Sequence, residues 1–321
     1  MSAREPQIVG RTMGQSEFAL DLLACFEAHP HSISPKYFYD CVGSQLFERI
    51  CDLPEYYLTR TEISIFDRHV AEMAAAIGPG AEVVEFGAGS LRKARLLLDA
   101  LPAPRRFIAI DISGEHLEAS ATELRSLFPS VEIEPVVGDF TRLQALSLWG
   151  TVGKRRIGFF PGSTIGNFTL EQAHEFLSAA ASLLAGGGLL IGVDLVKDPR
   201  VLHAAYNDAA GVTASFNRNL LTRANRELGC DFHEESFHHY AFYQAQKQRI
   251  EMHLISTCVQ EVSLCDRRFV LAEGESIHTE SSQKYTIEGF HALARQCGFR
   301  PRTTWCDDRR LFSVHWLEAP S

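Results

Sequence analysis

The middle third of the chain alternates short apolar runs with helical stripes. Glu82-Val83-Val84-Glu85-Phe86 is an apolar run that halts at Gly87-Ala88-Gly89-Ser90. From Leu91 the apolar positions Ala94, Leu97, Leu98 and Leu101 fall on one face of a helix. Phe107 to Asp111 predicts a second strand with an acid at its end, His116 to Leu127 a helix, and Val131 to Val137 a third strand running into Gly138-Asp139-Phe140. Ile157 to Phe160 predicts a fourth strand, followed by Pro161-Gly162-Ser163-Thr164-Ile165-Gly166-Asn167. Thr169 and Gln172 form a capping box. The helix they open carries Leu170, Ala173, Phe176, Leu177, Ala180 and Leu184 in register and stops at Gly186-Gly187-Gly188. Leu189 to Asp194 is the fifth strand.

Strands alternating with helices imply a parallel sheet covered on both faces. Arg302 to Cys306 and Leu311 to Leu317, joined by Asp307-Asp308-Arg309-Arg310, read as an antiparallel hairpin at the sheet edge. The fold class is therefore α/β, a Rossmann-like doubly wound sheet closed by a C-terminal antiparallel hairpin. Five parallel strands with such a hairpin resemble the class I methyltransferase variant of that fold. Residues 1–60 and 197–286 break the alternation. The first is rich in aromatics (Tyr37, Phe38, Tyr39, Phe47, Tyr56, Tyr57), and the second has alternating runs at Ile250 to Thr257 and Arg268 to Leu271. They are expected to form one discontinuous α+β substrate-binding domain, with 61–196 and 287–321 forming the cofactor-binding domain.

Composition narrows the function. Of 321 residues, 31 are Lys or Arg and 40 are Asp or Glu, giving a net charge of −9. That balance argues against a nucleic-acid partner. The basic clusters Arg105-Arg106, Lys154-Arg155-Arg156, Arg267-Arg268 and Arg309-Arg310 are short and read as solvated loops or strand ends. The 8 cysteines are too sparse for a disulfide scaffold, and none forms a Cys-x-x-Cys pair. Arg4, Glu5, Arg11, Glu17 and Asp21 precede any long apolar stretch, so no secretory signal is read. Leu183 to Val193 is the most apolar run, and a membrane span needs about 20 such residues. These numbers point to a soluble, intracellular, acidic protein without saying what it does; a cytoplasmic monomer without membrane or nucleic-acid partners is the expectation. The 13 histidines lack metal-ligand spacing. His116-x-Glu118 and His233-x-Glu235 are not followed by the Pro-Cys-x-x-Cys of a zinc deaminase, so no metal is expected.

Ligands of open α/β sheets bind beyond the carboxyl ends of the strands. There the Gly87–Gly89 turn lets backbone approach a ligand. Asp111, 24 residues after Gly87, can accept from two ribose hydroxyls. Asp139 can take an adenine amino proton while Phe140 flanks the ring. The ordinary alternative for both acids is a strand-end cap. A dinucleotide fingerprint needs a third glycine, and Arg92 occupies that position. This counts against an NAD(P)-dependent oxidoreductase and favours S-adenosyl-L-methionine, which carries no phosphate. Lys93 could pair with the carboxylate of its tail, or be a surface helix lysine.

Several longer strings carry a family resemblance. They are Tyr37-Phe38-Tyr39-Asp40, Gly43-Ser44-Gln45-Leu46-Phe47, Leu53 to Glu62, Gly162 to Asn167, Asp194 to Asp198, Ala205-Tyr206-Asn207-Asp208, Thr213 to Asn219 and Arg249-Ile250-Glu251-Met252. Together they resemble the L-histidine-specific Nα-methyltransferases of ergothioneine biosynthesis, from about Pro35 to the last strand. The resemblance implies three methyl transfers from S-adenosyl-L-methionine to the α-amine of free L-histidine, giving hercynine and S-adenosyl-L-homocysteine. It implies cofactor contacts at Gly87, Lys93, Asp111, Asp139 and Phe140. It places the substrate carboxylate at Asn167 and Tyr206, the amine at Tyr39, and the imidazole at Glu280 and Ser282 with Tyr56 nearby. Phe47, Gly162 and Met252 would shape the pocket. Gln283 departs from the pattern, where a smaller residue is expected. Glu280 can accept from a ring N–H and Ser282 can serve the other nitrogen. Tyr39, Phe47 and Tyr56 suit an amine that becomes cationic; core packing is their ordinary alternative. Two further readings are a methyltransferase of a related indole amino acid and a non-catalytic S-adenosyl-L-methionine-binding regulator.

Overall fold

The computed structural model describes residues 16–89, 91–145 and 155–321. Residues 1–15, Ser90 and 146–154, Lys154 among them, lie outside these, as does the side chain of His116. Helix α1 (Glu17–Glu27) starts where Ser16 Oγ accepts the Ala19 N–H. A two-residue strand, β1 (His31–Ser32), and a 3-10 turn at Pro35–Phe38 follow. Helix α2 (Cys41–Asp52) is capped by Asp40, which accepts the Gly43 N–H at 2.7 Å. Helix α3 (Tyr57–Ile77) crosses the position 60/61, so that expected boundary falls inside one helix.

The alternating core follows its apolar pattern closely. It comprises β2 (Glu82–Phe86), α4 (Arg92–Ala100), β3 (Arg106–Asp111), α5 (Gly114–Leu127), β4 (Glu132–Val137), β5 (Arg156–Phe160), α6 (Leu170–Leu183) and β6 (Gly188–Asp194). Every position of β2, β5 and β6 is buried, as parallel strands covered on both faces require. The Thr169–Gln172 capping box is present in both directions. One basic cluster is corrected here. Arg156 is not solvated: it sits in β5 with its Nε 2.7 Å from Glu82 on the neighbouring strand, because a charge at the start of a central strand must find its counter-ion within the sheet.

Beyond β6 come α7 (Pro199–Tyr206), α8 (Val212–Leu228), β7 (Phe237–Gln244), β8 (Arg249–Ser256), β9 (Gln260–Leu264), β10 (Arg267–Leu271) and β11 (Ser276–Gln283). Strands β1, β11, β8 and β7 form one sheet in that order, and β9 with β10 a small hairpin. The chain then returns through α9 (Ile287–Gln296), β12 (Arg300–Cys306) and β13 (Phe312–Glu318). The main sheet runs β12-β13-β6-β5-β2-β3-β4, with β13 antiparallel to β6 and β12 at the edge. From β2 the chain proceeds outward to β3 and β4, then resumes on the other side at β5 and β6. The carboxyl ends of β2 and β5 therefore flank the crevice where such sheets bind ligands. The turn Thr164–Asn167 after β5 packs on β11. A Cβ on its Gly166 would come within 3.0 Å of the Gln283 carbonyl oxygen. That contact joins the two sheets at the crevice.

Candidate active site

A cavity of about 910 Å³ opens over the carboxyl ends of β2, β3, β4 and β5 and reaches β11, α2 and the turn before α3. Gly87 turns the chain at φ +74°, with its N–H donated to the Ile110 carbonyl at 2.9 Å. A Cβ there would lie 3.2 Å from Phe140 Cε1, so the Phe140 ring packs directly on this turn. At the end of β3, Asp111 Oδ1 accepts the Ser113 N–H at 2.8 Å. After β4, Asp139 Oδ1 accepts both the backbone N–H and the hydroxyl of Thr141, at 2.9 and 2.6 Å. Asp139 is thus a turn cap that also lines the cavity beside Phe140.

Below this edge lies an ionic group that the chain pattern did not reveal. Glu62 of α3 is fully buried, accepts from Lys93 Nζ at 2.7 Å and takes the Gly162 N–H at 2.9 Å. Gly162 itself has φ +80°, and a Cβ on it would press to 3.2 Å from Lys93 Nζ. Gly192 of β6 makes room for the acid, since its Cβ would stand 2.2 Å from Glu62 Oε1. Lys93 is therefore neither a surface lysine nor an unengaged cation. Glu85, at the end of β2, also lines the cavity and keeps Oε2 buried without a protein partner. Burial pushes its carboxyl up to about 8, against the pull of Lys93.

The substrate end is aromatic. Tyr39 stands edge-on to Phe47 at 5.7 Å, and Phe47 edge-on to Tyr56 at 6.3 Å. Phe216 of α8 contacts both Tyr39 and Phe47, a fourth ring that only folding brings in. Burial, then Glu280, holds the Tyr39 hydroxyl well above the ordinary tyrosine range, so it is a neutral phenol. Asn167 lines the wall from the end of the turn after β5.

Strand β11 supplies the polar end through a bulge. His278 pairs with His253 but Glu280 pairs with Met252, leaving Thr279 as the extra residue. Thr279 is buried, and its hydroxyl donates to Asn217 Oδ1 at 2.7 Å. The insertion reverses the strand's alternation, so Glu280 and Ser282 share the inward face. Glu280 lines the cavity, with its carboxyl raised to about 7 by burial while Lys284 pulls it down. Met252, Tyr206 and Ser282 do not line the cavity wall but sit behind it. Met252 is buried opposite Glu280, and Tyr206 donates its hydroxyl to Ser282 Oγ at 2.8 Å. Gln283 points away, donating to the Lys247 carbonyl at 2.8 Å.

Histidines without ligand spacing in the chain are gathered by the fold. Among the described residues, His29, His31 and Glu275 converge, as do Glu251, His253 and His278. His31 Nε2 lies 3.0 Å from Glu275, and Arg249 lies 2.5 Å from Glu251. Both carboxylates therefore already have partners. The 8 cysteines are all free. No helix among the described residues is long and apolar enough to cross a membrane.

The family model for histidine-specific, SAM-dependent methyltransferases matches residues 18–319. The chain belongs to this family. It is 43% identical over 300 residues to the histidine N-alpha-methyltransferase of Mycolicibacterium smegmatis, covering 92% of each chain. It is 39% identical over 313 residues to that of Mycobacterium tuberculosis, covering 95% of this chain and 96% of the other. Ergothioneine biosynthesis protein 1 of Neurospora crassa is 32% identical over 295 residues, which cover 86% of this chain and 32% of that longer protein. The family is thus an S-adenosyl-L-methionine-dependent one, and in this chain the cavity lies where its α/β sheet takes a ligand.

Proposed function

We propose that this enzyme trimethylates the α-amine of free L-histidine to hercynine, a step of ergothioneine biosynthesis. The observation that carries this is the bulged strand: it presents Glu280, with Ser282 on the same face just behind the wall, beside an aromatic wall in the cavity that also holds the glycine turn and the strand-end acids. S-adenosyl-L-methionine fits the residues present. A Cβ at Gly87 would fill the cradle against Phe140, Asp111 and Asp139 stand at successive strand ends, and Glu85 offers a buried acceptor. Asp111 would hold the ribose, Asp139 and Phe140 the adenine, Gly87 the tail's backbone approach, and Lys93 with Glu85 its charged groups. When bound, the cofactor supplies an electrophilic methyl on sulfur.

The chain's own residues bind and aim the amine. A free α-amine must lose its proton to react, since its pKa lies near 8 in peptides and higher in free amino acids. Tyr39, a neutral phenol, orients the amine and is the residue we assign nearest the reacting nitrogen. Asn167 serves the carboxylate end, while Tyr206, whose one O–H goes to Ser282, backs the site from behind the wall, and Glu280 with Ser282 serves the ring. Phe47, Tyr56, Gly162 and Met252 set the pocket's shape, and the ring faces stabilise the growing cation. An aliphatic side chain would leave Glu280 and Ser282 unpaired, which is how a polar site rejects it. None of these roles calls for a metal.

Residues 61–196 with 287–321 would be the cofactor-binding unit, and 1–60 with 197–286 the substrate-binding unit, working as a cytoplasmic monomer on a small-molecule substrate. The test is direct. The protein is incubated with isotope-labelled S-adenosyl-L-methionine and each amino acid, and products are read by mass spectrometry. Histidine should gain one, two and three methyl groups. Methylation of tryptophan or another amino acid in its place would defeat the reading.

A further inference from the structure

Lys284 is fully buried, and each of its three N–H bonds has a taker. They are Asp194 Oδ2 at 2.7 Å, Ser282 Oγ at 2.8 Å and Tyr206 Oη at 3.1 Å. Tyr206 in turn donates its own O–H to Ser282 Oγ at 2.8 Å. A serine oxygen offers two acceptor sites and one hydrogen. Lys284 and Tyr206 fill both acceptor sites, so Ser282 has only its O–H left for a ligand. Ser282 lies two positions from Glu280 on one face of β11, about 6.6 Å along an extended strand. An imidazole with a hydrogen bond at each ring nitrogen bridges such a gap.

We propose that Lys284 is a positioning residue that fixes Ser282 as a hydrogen-bond donor, so that the site takes the histidine ring only as neutral imidazole, its N–H towards Glu280 and its lone pair towards Ser282. This rests on the histidine reading above. An imidazolium would turn a second N–H towards an oxygen with no acceptor site left, and do so beside an ammonium. The surroundings favour the same outcome. Asp194 and Lys197 face Lys284 from the end of β6, Tyr57 from α3, Tyr206 from α7, Tyr243 from β7 and Glu280 from β11. Tyr39 and Tyr56 complete the ring of phenols around Glu280. Asp194 answers one of two lysines, so the patch behind Ser282 is net positive while both are protonated. Burial works against the Lys284 charge, but Asp194 and Tyr206 hold it protonated beyond the usual lysine range.

The test uses the whole enzyme with S-adenosyl-L-homocysteine and L-histidine labelled with ¹⁵N in the ring. Nitrogen shifts report protonation of each ring nitrogen directly. One protonated and one bare nitrogen should persist in the bound ring as pH falls through the free ring's pKa of about 6.5. Two protonated nitrogens at pH 7 would overturn the proposal while leaving histidine binding intact. No bound signal would overturn the histidine reading and the proposal with it. Lys284→Met should free one acceptor site, raise the bound ring's pKa by a unit or more, and raise KM for histidine about tenfold with KM for the cofactor unmoved. Tyr206→Phe frees the other acceptor site while keeping the Lys284–Asp194 pair, and should raise the bound ring's pKa in the same direction. An unchanged ring pKa in either folded variant would refute the role given to Lys284.

Discussion

Replacing Glu62 by alanine tests the hidden ionic group under the cofactor edge. The Glu62 side chain is 1% exposed and that of Lys93 15%, so this pair is unlike a solvated surface bridge. Breaking a buried pair by removing one partner costs about 3–5 kcal/mol, because the remaining charge is stranded. The Gly162 N–H also loses its acceptor, worth about 1–3 kcal/mol when buried. The two losses share one carboxylate and do not add fully. Lys93 keeps some access to water, which trims the first. A total of about 3–4 kcal/mol follows, to be read as a lowered midpoint in urea unfolding at unchanged slope. Glu62→Gln retains an acceptor for Gly162 and should lose roughly half as much. Saturating S-adenosyl-L-methionine should shrink the alanine penalty, since its tail carboxylate would return an anion to Lys93. A further arm uses Gly192, whose Cβ would meet Glu62 Oε1 at 2.2 Å. Gly192→Ala should cost less in the Glu62→Ala background than in the native chain. A loss below about 1 kcal/mol for Glu62→Ala, the range of an exposed pair, would refute the reasoning.

Three more outcomes are expected. Burial raises the Glu280 carboxyl to about 7 against the pull of Lys284, so it is ionised above that pH and protonated below. As pH falls through 7, kcat/KM for histidine should drop as Glu280 loses its charge and accepts the ring N–H more weakly. Glu280→Gln should remove that part of the acid limb from the pH–rate profile, leaving the ring's own titration. Deleting Thr279 removes the extra residue and leaves Glu280 opposite Met252, so Glu280 should keep its inward face, histidine turnover should survive with the loss limited to the Thr279–Asn217 hydrogen bond, and calorimetric cofactor affinity should stay within about threefold. Gly87→Ala asks a left-handed position at φ +74° to carry a Cβ 3.2 Å from Phe140, a strain of order 1–3 kcal/mol. It should weaken S-adenosyl-L-methionine binding about tenfold by calorimetry, and unaltered affinity would remove Gly87 from the cofactor cradle.

Much of the core was legible because its signals are local. β2 spans Glu82–Phe86, the five residues whose apolar run stops at the glycine turn, and Asp111 and Asp139 are readable as strand-end acids once β3 and β4 are placed. The capping box at Thr169 and the antiparallel hairpin of β12 and β13 also follow from nearby residues. The site was legible through another route, the family resemblance, which implied Glu280 and Ser282 without showing how they come to face the same way. Glu62 and Phe216 lie inside the family strings and Glu85 in the run before the glycine turn, yet nothing in the chain pattern gave them a place in the site. A phenylalanine in an amphipathic helix and acids within a helix or a strand look the same whether they line a cavity or not.

The chain's own pattern therefore determined the order of strands and helices, the glycine turns and the acids at strand ends, because period and turn chemistry act over a few residues. The tertiary structure alone decided which charges lose their water together. Glu62 meets Lys93, Arg156 meets Glu82, and Lys284 meets Asp194 only when sheets and helices pack. It also decided the side on which Glu280 stands, through one extra residue in a strand paired with Met252 across the sheet. Burial and register belong to packed layers, and they turn a readable list of polar residues into a site with a defined donor, acceptor and charge at each position.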